Sequence, residues 1–274
     1  MPVTLEQDYC LLEHNKSYCR IYYFGATVTH LSFHDSDVLF LSKKAILDGS
    51  KAIRGGIPLV FPQFGPGKLP QHGFARVSKW KWLGIQSDSD QETSVAFELT
   101  PDLIPESHRK LWTFDFQLIF TITLKDHALK TQLFIKNTGT VAFPFTCLLH
   151  TYFSVDDISS ATVGHLTGCE FQDSLLSHQR SKESRSLITI EKEVDRIYEN
   201  VPNSLIVNDD IEITKIGFTD AVVWNPWIEK SKAMSDFDDD EYKKMLCVEM
   251  GCVAKEIVLN PNENWTGYQI ISKK

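Results

Sequence analysis

The 274-residue sequence lacks the marks of several large functional classes. It has no CxxC pair, and its six cysteines, Cys10, Cys19, Cys147, Cys169, Cys247 and Cys252, follow no zinc-binding spacing. Cys147 and Cys247 sit inside apolar runs, so reduced, buried thiols are expected rather than a disulfide framework. Basic residues are in deficit, 28 against 36 acidic ones, for a net charge of −8. That balance argues against nucleic acid or an anionic membrane surface as the main partner, though a few local arginines could still hold a small anion. No Walker loop and no GxGxxG after a strand is present, so nucleotide binding is unsupported. No GxSxG elbow points to a hydrolase triad, and no HExxH or His/Asp cluster suggests a metal. No apolar run approaches the roughly 20 residues a bilayer span needs. The first 20 residues show no basic region followed by an apolar stretch, so no signal peptide is visible and a cytoplasmic protein is expected. Helical patterning is scarce. The best candidates are KKAILDG after Ser42 and ESHRKLW after Pro105.

Strand patterning is abundant. In FDFQLIFTITL (114–124) Phe114, Phe116, Leu118, Phe120, Ile122 and Leu124 share one face. Lys125-Asp126 can turn the chain into ALKTQLFIKN (128–137) as a hairpin partner. Further strands are expected at 17–23, 28–33, 37–41, 79–85, 93–99 and 143–155, then at 162–171, 186–192, 211–216, 221–225, 245–250, 256–259 and 267–272. Many short strands with few short helices predict an all-β protein, a large antiparallel sandwich or barrel. No linker divides the chain, so one domain over 1–274 is expected.

The most unusual stretch is RGGIPLVFPQFGPGKLPQHGFAR, from Arg54 to Arg76, with five glycines and four prolines between the two arginines. Such a segment cannot be a helix or a central strand, and it is too apolar for a solvated linker. Backbone that turns repeatedly and presents two permanent cations reads either as an anion site or as a structural loop whose arginines pair with carboxylates. Its His72-Gly73 pair suggests a tight turn that exposes an imidazole.

Other candidates are single residues. In MLCVEMGCV, Glu249 shares a strand face with Met245 and Cys247. Burial there would raise its pKa toward that of a general base, and the plain alternative is a solvated strand face. His150, in FPFTCLLHTYFSV, is either a structural or a catalytic histidine. Asp195 in VDRIYEN could be a turn residue. Trp224 and Trp227 bracket Asn225-Pro226 and suit either a core or a sugar-stacking wall. The charged insert IEKSKAMSDFDDDEYKK (228–244) lacks the ligand spacing of a calcium loop, and its position makes it a possible lid.

Taken in order, RGGIPLVFPQFG, HGFAR, LHTYFSV, DRIY, VVWNPW and MLCVEMG resemble the aldose-1-epimerase superfamily, and within it the hexose-6-phosphate mutarotase (glucose-6-phosphate 1-epimerase) branch. The resemblance runs over essentially the whole chain. Phe61 and Gln63 stand where some members of the branch carry Trp. It implies a galactose-mutarotase-like antiparallel supersandwich and an isomerase that interconverts the anomers of a hexose 6-phosphate without metal or organic cofactor. It also implies His150 as general acid and Glu249 as general base, on opposite sides of the sugar. Arg54, Gln71, His72, Arg76, Asp195 and Trp224 become substrate contacts, with the two arginines clamping the phosphate. Asp195 is the carboxylate expected to favour a protonated His150. Nothing in the sequence demands more than a monomer. Two other readings stay open: a glycoside hydrolase using Glu249 and Asp195, whose carboxyl groups would have to flank one bond, and a sugar-binding module in which His150 and Glu249 are misplaced.

Overall fold

The computed structural model describes residues 2–274. Period-2 patterning becomes strand pairing over most of the expected segments, though 37–41 keeps only the end of Ser36–Asp37, 143–155 divides into Phe143–Leu149 and Tyr152–Ser154, and 162–171 divides into Thr162–Gly164 and Glu170–Asp173. The hairpin expected around Lys125-Asp126 forms from Phe116–Leu124 and Ala128–Asn137, with Leu129 opposite Leu124 and Leu133 opposite Phe120. Strict alternation of buried and half-buried residues along Ala128–Asn137 shows that one face of this hairpin enters the core.

Three sheets result, and every ladder between named strands is antiparallel. The first five strands form a meander in sequence order between Val3 and Asp37. A nine-stranded sheet centres on the hairpin above and on Asn264–Lys273. An eight-stranded sheet centres on Met245–Leu259, flanked by Asp220–Asn225 on one side and by Phe143–Leu149 and Tyr152–Ser154 on the other. Buried side chains from all three sheets belong to one apolar cluster. The expected all-β supersandwich is therefore observed, with two α-helices, Glu106–Leu111 and Trp227–Ala233.

Two expectations are corrected. KKAILDG after Ser42 forms no helix. The Ser42 hydroxyl that would cap it donates to Glu241 (2.6 Å), and the Lys43 amide donates to the same carboxylate (2.8 Å). The Ser42 hydroxyl also accepts from the Lys44 amide (3.1 Å) and the Ala45 amide donates to the Ser42 carbonyl (3.0 Å), so the chain makes one turn here and does not continue as a helix. The segments 245–250 and 256–259 are one 15-residue strand. The stretch between them is carried past a register shift against Phe145 and Cys147, where the Val253 and Ala254 amides both donate to buried Asp220 (2.9 Å each).

Candidate active site

The core of the site is a patch on one face of the eight-stranded sheet. Strand register aligns Asp195 with Trp224 and Trp224 with Cys247, and in the next row Ile197 with Val222 and Val222 with Glu249. Side chains two apart on a strand share a face, so these six residues project together. On the far side of Glu249, Leu149 pairs with Met250, and the strand breaks after it. His150, the next residue, comes level with Glu249, and its backbone amide donates to the Pro58 carbonyl (3.0 Å). The result is a contact of 3.2 Å between His150 Nδ1 and Glu249 Oε1, with both side chains nearly fully buried. Glu249 Oε2 has no hydrogen-bond partner. His150 is stacked on Tyr152 (ring centroids 4.8 Å) and meets Trp224 and His72 edge-on.

The Arg54–Arg76 segment supplies more of the lining. Its shape rests on glycines at points of close approach. A Cβ on Gly56 would lie 2.0 Å from the Val28 carbonyl oxygen, and one on Gly73 2.2 Å from that of Phe61. His72 and Gly73 both have positive φ, so the His-Gly pair is a tight turn as expected. The Gly65 amide donates to His72 Nδ1 (3.2 Å), which places the imidazole proton on Nε2. The Gln71 amide lies 3.3 Å from Nε2, where its carbonyl end is the partner that accepts this proton. Burial, together with Arg76 and Arg54, pushes the His72 pKa down to about 3, in keeping with that neutral form.

The two arginines are held differently. Arg54 donates to Tyr152 Oη (3.2 Å) and to both carboxylate oxygens of Asp236 (3.3 and 3.4 Å). Asp236 is buried, comes from the 228–244 insert, and also pairs with Lys51 (3.1 Å). Burial opposes the charge of Arg54, but these partners more than offset it and its pKa lies above the ordinary value. Arg76 has only the Gln71 carbonyl (2.8 Å), and its Nε is unpartnered. Burial, with neighbouring Arg54, pulls its pKa down to about 10, so it remains a largely uncompensated cation at neutral pH.

A cavity of about 400 Å³ opens on these groups, within the usual size range of small-molecule sites. His150, Glu249, Arg54, Gln71, His72, Arg76, Asp195 and Trp224 all line it. Phe64, Ser174, His178, Lys230 and Met234 line it as well and were not singled out in the sequence. Lys230 and Met234 belong to the insert suspected of being a lid. Ser174 and His178 come from the turn between Glu170–Asp173 and Gln179–Lys182 and carry no local motif.

Two details differ from expectation. His150 and Glu249 are in direct contact rather than on opposite sides. Asp195 does not act on His150. Burial, then His72 and the two arginines, hold the imidazole well below its usual pKa. Burial and then Asp195 hold the Glu249 carboxyl well above its own. The pair therefore shares one proton and is neutral overall. Asp195 lies on the same sheet face as Glu249, with the strand Asp220–Asn225 between their two strands, and is 3.8 Å from Lys230 Nζ. It does not face Glu249 across a cleft, which disfavours the glycoside hydrolase.

Comparison with known proteins agrees with this geometry. A protein of Cenchrus ciliaris provisionally named glucose-6-phosphate 1-epimerase is 41% identical over 261 residues, covering 90% of this chain and 78% of the relative. An Escherichia coli protein with the same provisional name is 33% identical over 223 residues, covering 78% of this chain and 72% of its own length. Among solved structures, a provisionally assigned mutarotase from Salmonella typhimurium superposes with a TM-score of 0.88 at 26% identity, covering 99% of this chain and 93% of that one. A galactose mutarotase related enzyme from Lactobacillus acidophilus, at 16% identity, shares the fold with a TM-score of 0.74 over 97% of both chains. The profile described as aldose 1-epimerase matches residues 8–272, nearly the whole chain, and places it in that family of isomerases.

Proposed function

We propose that this chain interconverts the α and β anomers of a hexose 6-phosphate by general acid/base ring opening and closure. The observation that carries the reading is the buried His150–Glu249 pair, in contact at 3.2 Å, in the same cavity as the under-compensated Arg76. The names of the relatives in the glucose-6-phosphate 1-epimerase group point the same way.

Mutarotation moves two protons. One leaves the C1 hydroxyl and one arrives at the ring oxygen. The ring opens, the aldehyde turns about C1–C2, and closure follows on the other face. With Glu249 ionised and His150 protonated, Glu249 takes the hydroxyl proton and His150 supplies the ring oxygen, each step contributing about 10²–10⁴-fold. The free pair favours the other distribution of its single proton, because burial, then His72 and the charges of Arg76 and Arg54, disfavour imidazolium. A bound phosphate neutralises those charges. It therefore raises the proton affinity of His150 and shifts the pair toward its working form. On this reading the phosphate does more than anchor the sugar.

Arg76 is the main phosphate ligand and Arg54 the secondary one, since Asp236 already compensates Arg54. Gln71 and Asp195 would meet sugar hydroxyls and Trp224 a ring face, while His72, its Nε2–H donated to Gln71, holds that amide in place. The binding-module alternative needs a misplaced acid/base pair, and the 3.2 Å contact argues against it.

The test is exchange between the anomers of glucose 6-phosphate, followed by NMR with and without protein. Wild type accelerates exchange, and Glu249→Gln and His150→Ala each lose about 10²–10⁴-fold. Absence of acceleration by the wild type would sink the proposal. Arg76→Ala should weaken glucose 6-phosphate far more than glucose, and more than Arg54→Ala does. Equal losses for both sugars would remove the phosphate from the assignment.

A further inference from the structure

Cys247 has no place in the proton transfers, yet it lies beneath the pair that performs them. It shares a strand face with Glu249, is fully buried, and its Sγ is 3.8 Å from His150 Nδ1. One ligand atom each from His150, Cys247 and Glu249 falls within 4.8 Å of the others. A tetrahedral zinc ion with ordinary bond lengths sets its nitrogen and oxygen ligands about 3.4 Å apart, and its sulfur and nitrogen about 3.6 Å apart. The observed nitrogen–oxygen and sulfur–nitrogen distances are 3.2 and 3.8 Å, so these two sides match to a few tenths of an ångström, and the sulfur and oxygen lie within 4.8 Å of each other. The second, independent observation is Glu249 Oε2, an unpartnered acceptor on a side chain 1% exposed that lines the cavity. The other cluster of metal-ligating groups among the described residues, His34, Asp126 and His127, offers no such orphan. It is exposed, and its groups already pair with one another.

We propose that His150, Cys247 and Glu249 form a three-ligand site for a thiophilic divalent cation of the zinc class, and that its occupation switches the enzyme off. The ligand set is one imidazole, one thiolate and one carboxylate, of which His150 and Glu249 line the cavity and Cys247 lies behind them. Binding releases two protons to solvent, one from the Cys247 thiol and one from the His150–Glu249 pair. The ion then takes the place of the shared proton and occupies His150 Nδ1 and a Glu249 oxygen, so the pair can no longer exchange that proton with the sugar. Because the ion is reached through the substrate cavity, sugar phosphate and metal exclude each other. The site itself stands independently of the reaction; only the inhibition rests on the mutarotase reading.

The probe is Co²⁺, added to the full-length protein under reducing conditions. Wild type should show tetrahedral visible bands and a near-ultraviolet thiolate-to-cobalt charge-transfer band. The charge-transfer band should be absent in Cys247→Ser, weakened in His150→Ala and Glu249→Gln, and retained in Cys252→Ser. A wild type without that band, or a band that survives in Cys247→Ser, overturns the site. Should Cys247→Ser misfold, unchanged cobalt affinity in both His150→Ala and Glu249→Gln would overturn it equally. In the anomer-exchange assay buffered zinc should raise the KM of the wild type. Cys247→Ser should need at least about 100-fold more zinc for the same effect, since loss of an outer-shell partner alone costs about 10–100-fold and the thiolate is a direct ligand. Spectral binding without inhibition would refute the switch and leave the site. Failure of all anomer exchange would refute the mutarotase reading without touching the cobalt result.

Discussion

At the scale of single residues, His72 shows how a sequence position acquires chemistry. HisGly in a turn marks the imidazole as exposed from the chain, but the fold buries it and fixes its proton on Nε2 through the Gly65 amide. The sign of its effect on stability follows from its pKa of about 3, below the 6.5 of an ordinary histidine. Between these values the unfolded chain binds a proton that the native state rejects. The stabilisation is fully present above pH 6.5 and is lost progressively as pH falls toward 3, on the order of 5 kcal/mol in all at about 1.36 kcal/mol per pH unit. Asn tolerates the positive φ at this position and can accept from Gly65 through its carbonyl. His72→Asn should therefore unfold at nearly the same denaturant concentration as wild type at pH 4, and be less stable than wild type at pH 7.5. Denaturant melts at the two pH values check this. An acid-induced loss identical in both proteins would contradict it. The raised carboxyl of Glu249 acts in the opposite sense, contributing stability that fades as pH rises, so the comparison between the two proteins isolates His72.

At the scale of elements, the insert 228–244 changed meaning most. Its acidic run reads as a solvated loop, yet it delivers Asp236 to Arg54 and Glu241 to Ser42, both carboxylates buried. It is a strut under the site wall. Asp236→Ala would leave Arg54 buried beside Arg76 without its counter-charge. Breaking such a pair costs about 3–5 kcal/mol, and the freed guanidinium can then compete with Arg76 for phosphate. The thermal midpoint should fall, and KM for glucose 6-phosphate should change more than kcat. An unchanged midpoint would show that Tyr152 and solvent already satisfy Arg54. The same element shows what the sequence can and cannot reveal. Strands were legible because alternation is local, as along Phe116–Leu124 and Ala128–Asn137. The ordered motifs marked eight residues that all line one cavity. What was not legible depends on register and on distant partners. Nothing local shows that Leu149 pairs with Met250 and so brings His150 against Glu249, or that Glu241 reaches back to Ser42 and Lys43. Lys230 and His178 likewise join the site only through tertiary placement.

At the scale of the whole molecule, the question is what binds the anchoring segment to the sheets that carry the acid/base pair. Phe61 is fully buried at that junction. Its ring lies 5.7 Å from Phe74 of the same segment, 5.6 Å from Trp112, 5.8 Å from Phe116 of the nine-stranded sheet and 5.6 Å from Phe145 of the eight-stranded sheet. Its carbonyl accepts from the amides of Phe74 and Ala75, just before Arg76. One aromatic group thus ties the loop that presents Gln71, His72 and Arg76 to both layers of the sandwich. We propose on this ground, and on the shared apolar cluster, that residues 1–274 act as one cooperative domain. Phe61→Ala should cost about 3–5 kcal/mol through the cavity it leaves. Because the ring serves both sheets, the loss should appear as a single transition shifted to lower urea, coincident by far-ultraviolet circular dichroism and by tryptophan fluorescence. Phe61→Leu, which keeps most of the volume, should recover much of the stability. At urea concentrations below either transition, Phe61→Ala should also bind glucose 6-phosphate more weakly than Phe61→Leu, since the turn before Arg76 loses its support. Two separated transitions, or weakened stability with unaltered substrate binding, would mean that the anchoring segment folds and holds its shape independently of the sandwich beneath it.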